Sequence, residues 1–68
     1  MTNEFVYQAR ARLADGTQAI CTTNAYDRDD AKFIFSHSYW GLVNGKEEKL
    51  ERVDLRTVKL WEGYEANA

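Results

Sequence analysis

Three consecutive residues, Ser36, His37 and Ser38, carry side chains from which hydrolases build a nucleophile and its general base. They fall in a stretch with helical periodicity, where successive side chains point about 100° apart. The serines should therefore diverge from the histidine, and we expect no nucleophile–base pair among the three. We interpret His37 as an exposed or half-buried helix residue, and we predict that the protein is not an enzyme.

The acidic and sulfur-bearing residues do not form a metal-binding pattern. Asp27, Asp29 and Asp30 could hold a hard cation only on a turn of suitable geometry, and helix capping explains them better. One histidine and one cysteine, Cys21, cannot make a structural zinc site, and a single cysteine cannot form an internal disulfide. We predict no metal, no cofactor and no catalytic residue.

The composition predicts one small domain over residues 1–68, with loose tails at 1–3 and 62–68. The net charge is −2, which argues against a general nucleic-acid binder but leaves room for a local basic patch. No apolar run is long enough to cross a membrane. The single cysteine and the absence of a signal peptide predict a cytoplasmic location.

The stretch from Tyr26 to Trp40 is predicted to be the central helix, with Asp27 as its N-cap and Gly41 as its left-handed stop. At helical spacing, one face would pack on the core. That face consists of Ala31, Ile34, Phe35 and Ser38. A second stripe, on roughly the opposite side, consists of Phe33, His37 and Trp40.

The second stripe has two interpretations. In the first, the C-terminal segment covers it, or Trp40 has already left the helix, because apolar residues are commonly core. In the second, the stripe is an exposed aromatic patch that docks on a partner or on a second copy of the chain.

The alternation of residues 4–13 predicts a strand, and Asp15-Gly16 predicts a hairpin with a two-residue type I′ loop. With that loop, Ala9 would face Thr22. The predicted core face is Phe5, Tyr7, Ala9, Ala11, Leu13, Ile20 and Thr22. The predicted outer face is Val6, Gln8, Arg10, Arg12, Ala19, Cys21, Thr23 and Ala25.

Arg10 and Arg12 would form a shallow basic strip on this outer face. The strip is either the solvated back of a two-layer domain or a contact surface for phosphate or acidic side chains. Cys21, on the same predicted face, is interpreted as a small filler, because no neighbouring feature would lower its pKa.

After the helix, Leu42-Val43 and Asn44-Gly45 indicate either a short strand with a second tight hairpin or a loop. A long strand follows from Leu50 to Trp61. A bulge near Arg56-Thr57 would turn one set of apolar residues to the core. That set is Val53, Leu55, Val58 and Leu60. Trp61 and Tyr64 could fold back on the domain.

The predicted fold is α+β, an antiparallel sheet of three to four strands with one helix packed on one face, in the order ββαβ. An open sheet of this kind leaves two free edges. Either charged residues or a partner strand would have to protect them, so an edge-to-edge dimer is one expectation.

The run TQAICTTNAYDRDDAKFIFSHSYWG resembles the strand–helix layout of small proteins from phages and other mobile elements, including anti-CRISPR proteins of ββαβ layout. The resembling positions are Asp15-Gly16, Ala25, Asp27, Asp30-Ala31-Lys32 and Tyr39 to Gly41. These are structural positions in less than half of the chain. The resemblance implies a protein of the host cytoplasm that covers a surface of a host complex, and it assigns no binding residue.

The leading hypothesis is a small interaction protein that inhibits or modulates a protein partner. Its predicted contact residues are Phe33, His37, Trp40, Arg10 and Arg12. One alternative is a nucleic-acid-binding module, with arginines on phosphates and aromatic side chains stacked on bases. The other is a self-assembling dimer.

Overall fold

The computed structural model describes residues 4–61, which form two β-hairpins joined by one helix. In chain order the elements are β1 (Phe5–Leu13), β2 (Gln18–Ala25), α1 (Arg28–His37), β3 (Trp40–Val43) and β4 (Lys46–Leu60). The predicted α+β class, with an antiparallel sheet and one helix, is confirmed, and the order is ββαββ. The predicted tails and Tyr64 lie outside the described residues.

The four strands close into a barrel, because β4 returns to pair with β1. Pairing of β4 with β1 removes the edges of those two strands, whereas β2 and β3 remain largely unpaired along their shared seam. β1 and β2 are joined by eight residue pairs. The seam between β2 and β3 is joined by one pair, Thr22 and Leu42.

The first hairpin has a three-residue loop, residues 14–16, and not the predicted two-residue loop. The N–H of Leu13 donates to the Thr17 carbonyl at 2.7 Å, and the N–H of Gly16 donates to the Leu13 carbonyl at 2.9 Å. Gly16 has a φ of +91°, in the left-handed region that favours glycine. A turn followed by a left-handed glycine is common in loops of this length.

The longer loop shifts the register by one residue and exchanges the two faces of β2. Ala9 faces Cys21 instead of Thr22. The residues Ala19, Cys21, Thr23 and Ala25 therefore lie on the inner face, and Ile20 and Thr22 lie on the outer face. This corrects the predicted sides of β2, while Tyr7, Ala9 and Ala11 of β1 are buried as predicted.

The helix begins as the sequence indicates. Asp27 is the N-cap, and its Oδ1 accepts from the N–H of Asp30 at 2.8 Å. The Asp30 carboxylate in turn accepts from the N–H of Tyr26 at 3.1 Å. Of the predicted core face, Ala31 and Phe35 are buried and Ile34 packs against the core, whereas Ser38 lies beyond the last helical residue.

The helix ends at His37, earlier than predicted, and Ser38 is its C-cap in an extended conformation. Gly41 therefore does not stop the helix, and it does not have a positive φ. It lies in β3, where a Cβ would be 2.9 Å from Leu50 Cδ1 and 3.2 Å from Cys21 Cβ. Glycine is needed at this position for close packing and not for a cap.

The second hairpin closes through Asn44-Gly45, the tighter of the two predicted options. Asn44 has a φ of 53° and Gly45 a φ of 78°, as a type I′ turn requires at both positions. Val43 is buried on the inner side of β3. Side chains alternate along a strand, so Leu42, one residue from Val43, and Trp40, three residues from Val43, point to the outer side.

The bulge predicted near Arg56-Thr57 is present. Beyond the Arg10–Asp54 pair the register shifts, so that residues 55–58 of β4 oppose Ala9 alone. The Thr57 hydroxyl takes the place of a ladder carbonyl, because it accepts from the Arg10 N–H at 2.8 Å. It also donates to the Asp54 carbonyl at 2.7 Å.

The bulge brings three of the four predicted residues to the core. Val58 is 2% exposed, and Val53 and Leu55 pack against the buried cluster. Leu60 does not follow the prediction: it pairs with Tyr7 at the end of the barrel and is 54% exposed. Trp61 is half-buried, and its N–H donates to the Val6 carbonyl at 2.9 Å.

The core lies between α1 and the inner face of the sheet. Its members are Tyr7, Ala9, Ala11, Cys21, Ala25, Ala31, Phe35, Val43, Leu50 and Val58. Small side chains dominate this set, so the helix can approach the strands closely. Several larger apolar side chains remain exposed outside the core, among them Ile20, Phe33, Trp40 and Leu42.

Candidate binding surface on the outer face of the sheet

The outer face of the sheet brings Arg10, Arg12 and Arg52 together on neighbouring strands. Arg12 and Arg52 are direct cross-strand partners. Arg10 lies two residues from Arg12 along β1, a separation of about 6.8 Å in a strand. These arginines line a groove of about 470 Å³, the arginine groove, together with Ala11, Gln18, Ala19, Ile20 and Asp54.

The chain neutralises these three guanidinium groups only weakly. Arg12 has one ion pair, 3.8 Å from Glu51, and both side chains are about half exposed. Within residues 4–61, no carboxylate lies within 4.0 Å of the guanidinium of Arg10 or Arg52. Like charges placed directly opposite one another destabilise a sheet. The Arg12–Arg52 pair is therefore not explained by folding.

Asp54 is the cross-strand partner of Arg10, but its carboxylate turns to Arg56. Asp54 Oδ1 accepts from Arg56 Nε at 3.1 Å and from the Arg56 backbone N–H at 3.1 Å, and Oδ2 accepts from Nη2 at 3.3 Å. These hydrogen bonds lower the pKa of Asp54 and raise the pKa of Arg56. Asp54 is thus held ionised by Arg56, and the nearby positive charge of Arg52 lowers its pKa further.

An apolar patch, formed by Ile20, Trp40 and Leu42, lies beside the arginine groove. The three residues are 41%, 52% and 46% exposed. Leu42 pairs with Thr22, so Ile20, two residues along β2, is its diagonal neighbour on the same face. Trp40 and Leu42 also line a shallow groove of about 330 Å³. Tryptophan and arginine are both enriched in protein contact surfaces, and Ile20 is the residue that the apolar patch shares with the arginine groove.

A second aromatic site lies on the helix. Phe33 is 63% exposed, and its ring centroid is 4.4 Å from that of His37, with the ring planes tilted by 37°. The structure therefore keeps Phe33 and His37 together, as the helical spacing predicts. Trp40 does not join them, because the helix ends at His37 and Trp40 begins β3. The alternative in which Trp40 has left the helix is the one observed.

The predicted separation of Ser36 from His37 is wrong. Ser36 Oγ lies 2.9 Å from His37 Nδ1, because both side chains bend back to the carbonyl of Phe33. That carbonyl can only accept: the serine O–H donates to it at 2.7 Å, and His37 Nδ1 lies 2.9 Å from it. In the tautomer with the proton on Nδ1, the ring also donates to this carbonyl and cannot take a proton from the serine.

Cys21 lies in the core and not on the predicted outer face. It is 0% exposed, and its Sγ donates to the Ala9 carbonyl at 3.5 Å. Burial raises the pKa of the thiol to about 11. A buried, protonated thiol is a poor nucleophile, so Cys21 serves as a small packing residue.

The described part of the chain, residues 4–61, contains no group of three or more His, Cys, Asp or Glu residues that could hold a metal ion. Within the same range, no helix has the length and apolarity needed to cross a membrane. Comparison with protein families, with curated proteins and with solved structures finds no match. The geometry of the exposed surfaces is therefore the basis for a functional interpretation.

Proposed function

We propose that this protein is a small non-enzymatic interaction module that binds a protein partner and inhibits or modulates it. The observation that carries the proposal is the position of Trp40, which is 52% exposed on β3 on the same side as Leu42, so that it extends the apolar patch. Tryptophan and arginine contribute a large share of the binding energy at protein interfaces, often about 2 kcal/mol or more each.

The arrangement of the apolar patch is more informative than its exposure. Single exposed hydrophobic residues are normal on protein surfaces, whereas neighbouring ones often mark an interaction site. Ile20 and Leu42 are diagonal neighbours, and Trp40 is on the same side of β3 as Leu42. The patch spans the seam between β2 and β3, so a partner that covers it contacts both hairpins.

The resemblance in layout to small phage proteins supports a more specific form of the proposal, an inhibitor of a bacterial defence complex of the CRISPR type. Such an inhibitor would act in the cytoplasm of the host cell and would need no cofactor. This form is tested by expressing the protein in a CRISPR-proficient host and measuring the plating efficiency of a targeted phage. An inhibitor restores plating, and a Trp40→Ser variant restores it less.

The general proposal is tested by photo-crosslinking in lysate from the cell in which the protein acts. A photoreactive phenylalanine analogue replaces Leu42 in the apolar patch, Phe33 on the helix or Asn44 in the turn as a control. We expect one adduct of defined mass from position 42 and none from position 44. Unlabelled wild-type protein should compete for the adduct, whereas a Trp40→Ser variant should compete poorly.

The same labelled variants distinguish the alternatives. If purified protein crosslinks to itself at position 42 and its solution mass doubles, the surface joins two copies and the self-assembling dimer is correct. If the adduct forms only at position 33, the Phe33–His37 site is the contact surface. If neither position gives an adduct that wild-type protein can displace, the proposed interaction function is wrong.

A further inference from the structure

We infer that the arginine groove is a binding site for an acidic, extended segment of a protein, whose carboxylates meet Arg10, Arg12 and Arg52. This inference extends the proposed function by naming the chemistry of the partner. It rests on the proposed function but on other residues, the three arginines, with Ile20 as the one residue shared with the apolar patch. It is tested with a defined peptide instead of the unknown partner.

The first support is charge that the fold leaves uncompensated. Arg12 and Arg52 face each other across β1 and β4, an arrangement that weakens a sheet. Asp54, which could neutralise Arg10, is instead bound through both carboxylate oxygens to Arg56, which does not line the groove. The described residues therefore place three guanidinium groups around an open groove, where Glu51 pairs only loosely with Arg12 and the Asp54 carboxylate is hydrogen-bonded to Arg56.

The second support is spacing. Arg10 and Arg12 are two residues apart on one strand, about 6.8 Å, which equals the separation of carboxylates at alternate positions of an extended peptide. The Cα atoms of directly opposed residues such as Arg12 and Arg52 are about 4.5–5.5 Å apart. One carboxylate can therefore be shared by Arg12 and Arg52, while the next binds Arg10. The planar guanidinium group suits such paired contacts.

The lining favours a peptide over a nucleic acid. Single-stranded nucleic acids bind through a basic groove combined with aromatic platforms for the bases. The lining of the arginine groove includes no aromatic side chain, and its uncharged part is Ala11, Gln18, Ala19 and Ile20. The whole chain carries a net charge of −2, which opposes the long-range attraction that general nucleic-acid binders use. Ile20 instead offers an apolar contact to a side chain between two acidic residues.

The test is fluorescence anisotropy with three labelled probes. The first is a peptide of alternating glutamate and serine, the second is its glutamine counterpart, and the third is oligothymidylate with the same number of charges. Wild-type protein should bind the glutamate peptide and not the glutamine peptide, with an affinity that falls as salt is raised. Arg52→Gln should weaken binding about tenfold, as expected for a charge-assisted contact.

Lys46→Gln is the matched control, because it removes one positive charge from β4 outside the groove. It should leave peptide binding within about twofold of wild type. Thermal unfolding of Arg52→Gln should occur at the same temperature as wild type or higher, since the variant removes a repulsive pair. Weaker binding without lower stability assigns Arg52 to the ligand and not to the fold.

The inference is overturned by any of three results: no binding of the glutamate peptide, equal binding by Arg52→Gln, or tighter binding of oligothymidylate. The last result favours the nucleic-acid-binding alternative. The peptide experiment can fail while the proposed function still holds, because the two are tested by different measurements. If an adduct forms at position 42 but the glutamate peptide does not bind, the protein has a protein partner, and only the inference of an acidic segment is wrong.

Discussion

Gly41 and Leu50 lie so close together that a Cβ on the glycine would be 2.9 Å from the Leu50 Cδ1 atom. Leu50 is 5% exposed, so its side chain has little freedom to move away. The inner face of β3 is therefore packed directly on the core at a position where a side chain larger than that of glycine would displace Leu50.

We predict that Gly41→Ala lowers the free energy of unfolding by about 1–3 kcal/mol, because overpacking displaces Leu50. Urea denaturation measures the change. A double-mutant cycle provides the control, since Leu50→Val removes the clashing Cδ1 atom. Gly41→Ala should cost less in the Leu50→Val background. An equal cost in both backgrounds would show that the clash is not with Leu50.

Phe33 and Phe35 form a matched pair on one helix. Phe35 is 3% exposed and Phe33 is 63% exposed. Phe35→Ala should lower the free energy of unfolding by about 3–5 kcal/mol, whereas Phe33→Ala should change it by about 0.5 kcal/mol or less. Circular dichroism melts and urea titrations measure both. Similar losses in the two variants would mean that Phe33 is covered by the chain and is unavailable to a partner.

Cys21 should make stability depend on pH in the alkaline range. Burial raises the pKa of its thiol from an ordinary value of 9.0 to about 11. Between these values the unfolded chain releases the proton and the folded chain retains it, so stability is present below pH 9 and falls as the pH rises toward 11. Urea denaturation across this range should show a steeper fall for wild type than for Cys21→Ala. Parallel slopes would show that the thiol does not contribute.

Asp54, which lines the arginine groove, and Arg56, which does not, should both change its affinity for the glutamate peptide. Asp54→Asn removes a negative charge from the lining and should tighten binding of the glutamate peptide about twofold to fivefold. Arg56→Gln should weaken binding although Arg56 does not line the groove, because Asp54 is then free to pair with Arg10. The double variant separates the two effects. If it binds like Arg56→Gln alone, Arg56 acts on the peptide directly and not through Asp54.

The elements that rest on local signals could be predicted from the sequence. Asp27 begins the helix because its carboxylate reaches an unpaired N–H a few residues away, and Asn44-Gly45 closes a hairpin because both positions accept positive φ. The sides of β2 could not be predicted. Asp15-Gly16 is compatible with loops of two or three residues, and the difference of one residue turns Ile20 outward and Cys21 inward.

The candidate site depends on pairing between distant parts of the chain, so it could be predicted only in part. Arg10 and Arg12 share a face because of simple alternation, and both lie in the arginine groove. Arg52 could not be assigned to it, because the register of β4 against β1 passes through a bulge. The spacing of Trp40 from His37 fits a helical period and so predicts a helical position for Trp40. The extended conformation of Ser38 sends it into β3 instead.

The single residue pair between β2 and β3 has a consequence for how the molecule opens. Without Thr22–Leu42, the barrel is an open sheet in the order β2-β1-β4-β3, with every other pairing intact. Opening of this seam should require far less free energy than global unfolding, and amides along it should exchange with solvent early. Ile20 and Leu42 lie on opposite sides of the seam. A partner that contacts both Ile20 and Leu42 would hold β2 and β3 together. Slower exchange of the amides along this seam would then be the first sign that the partner has bound.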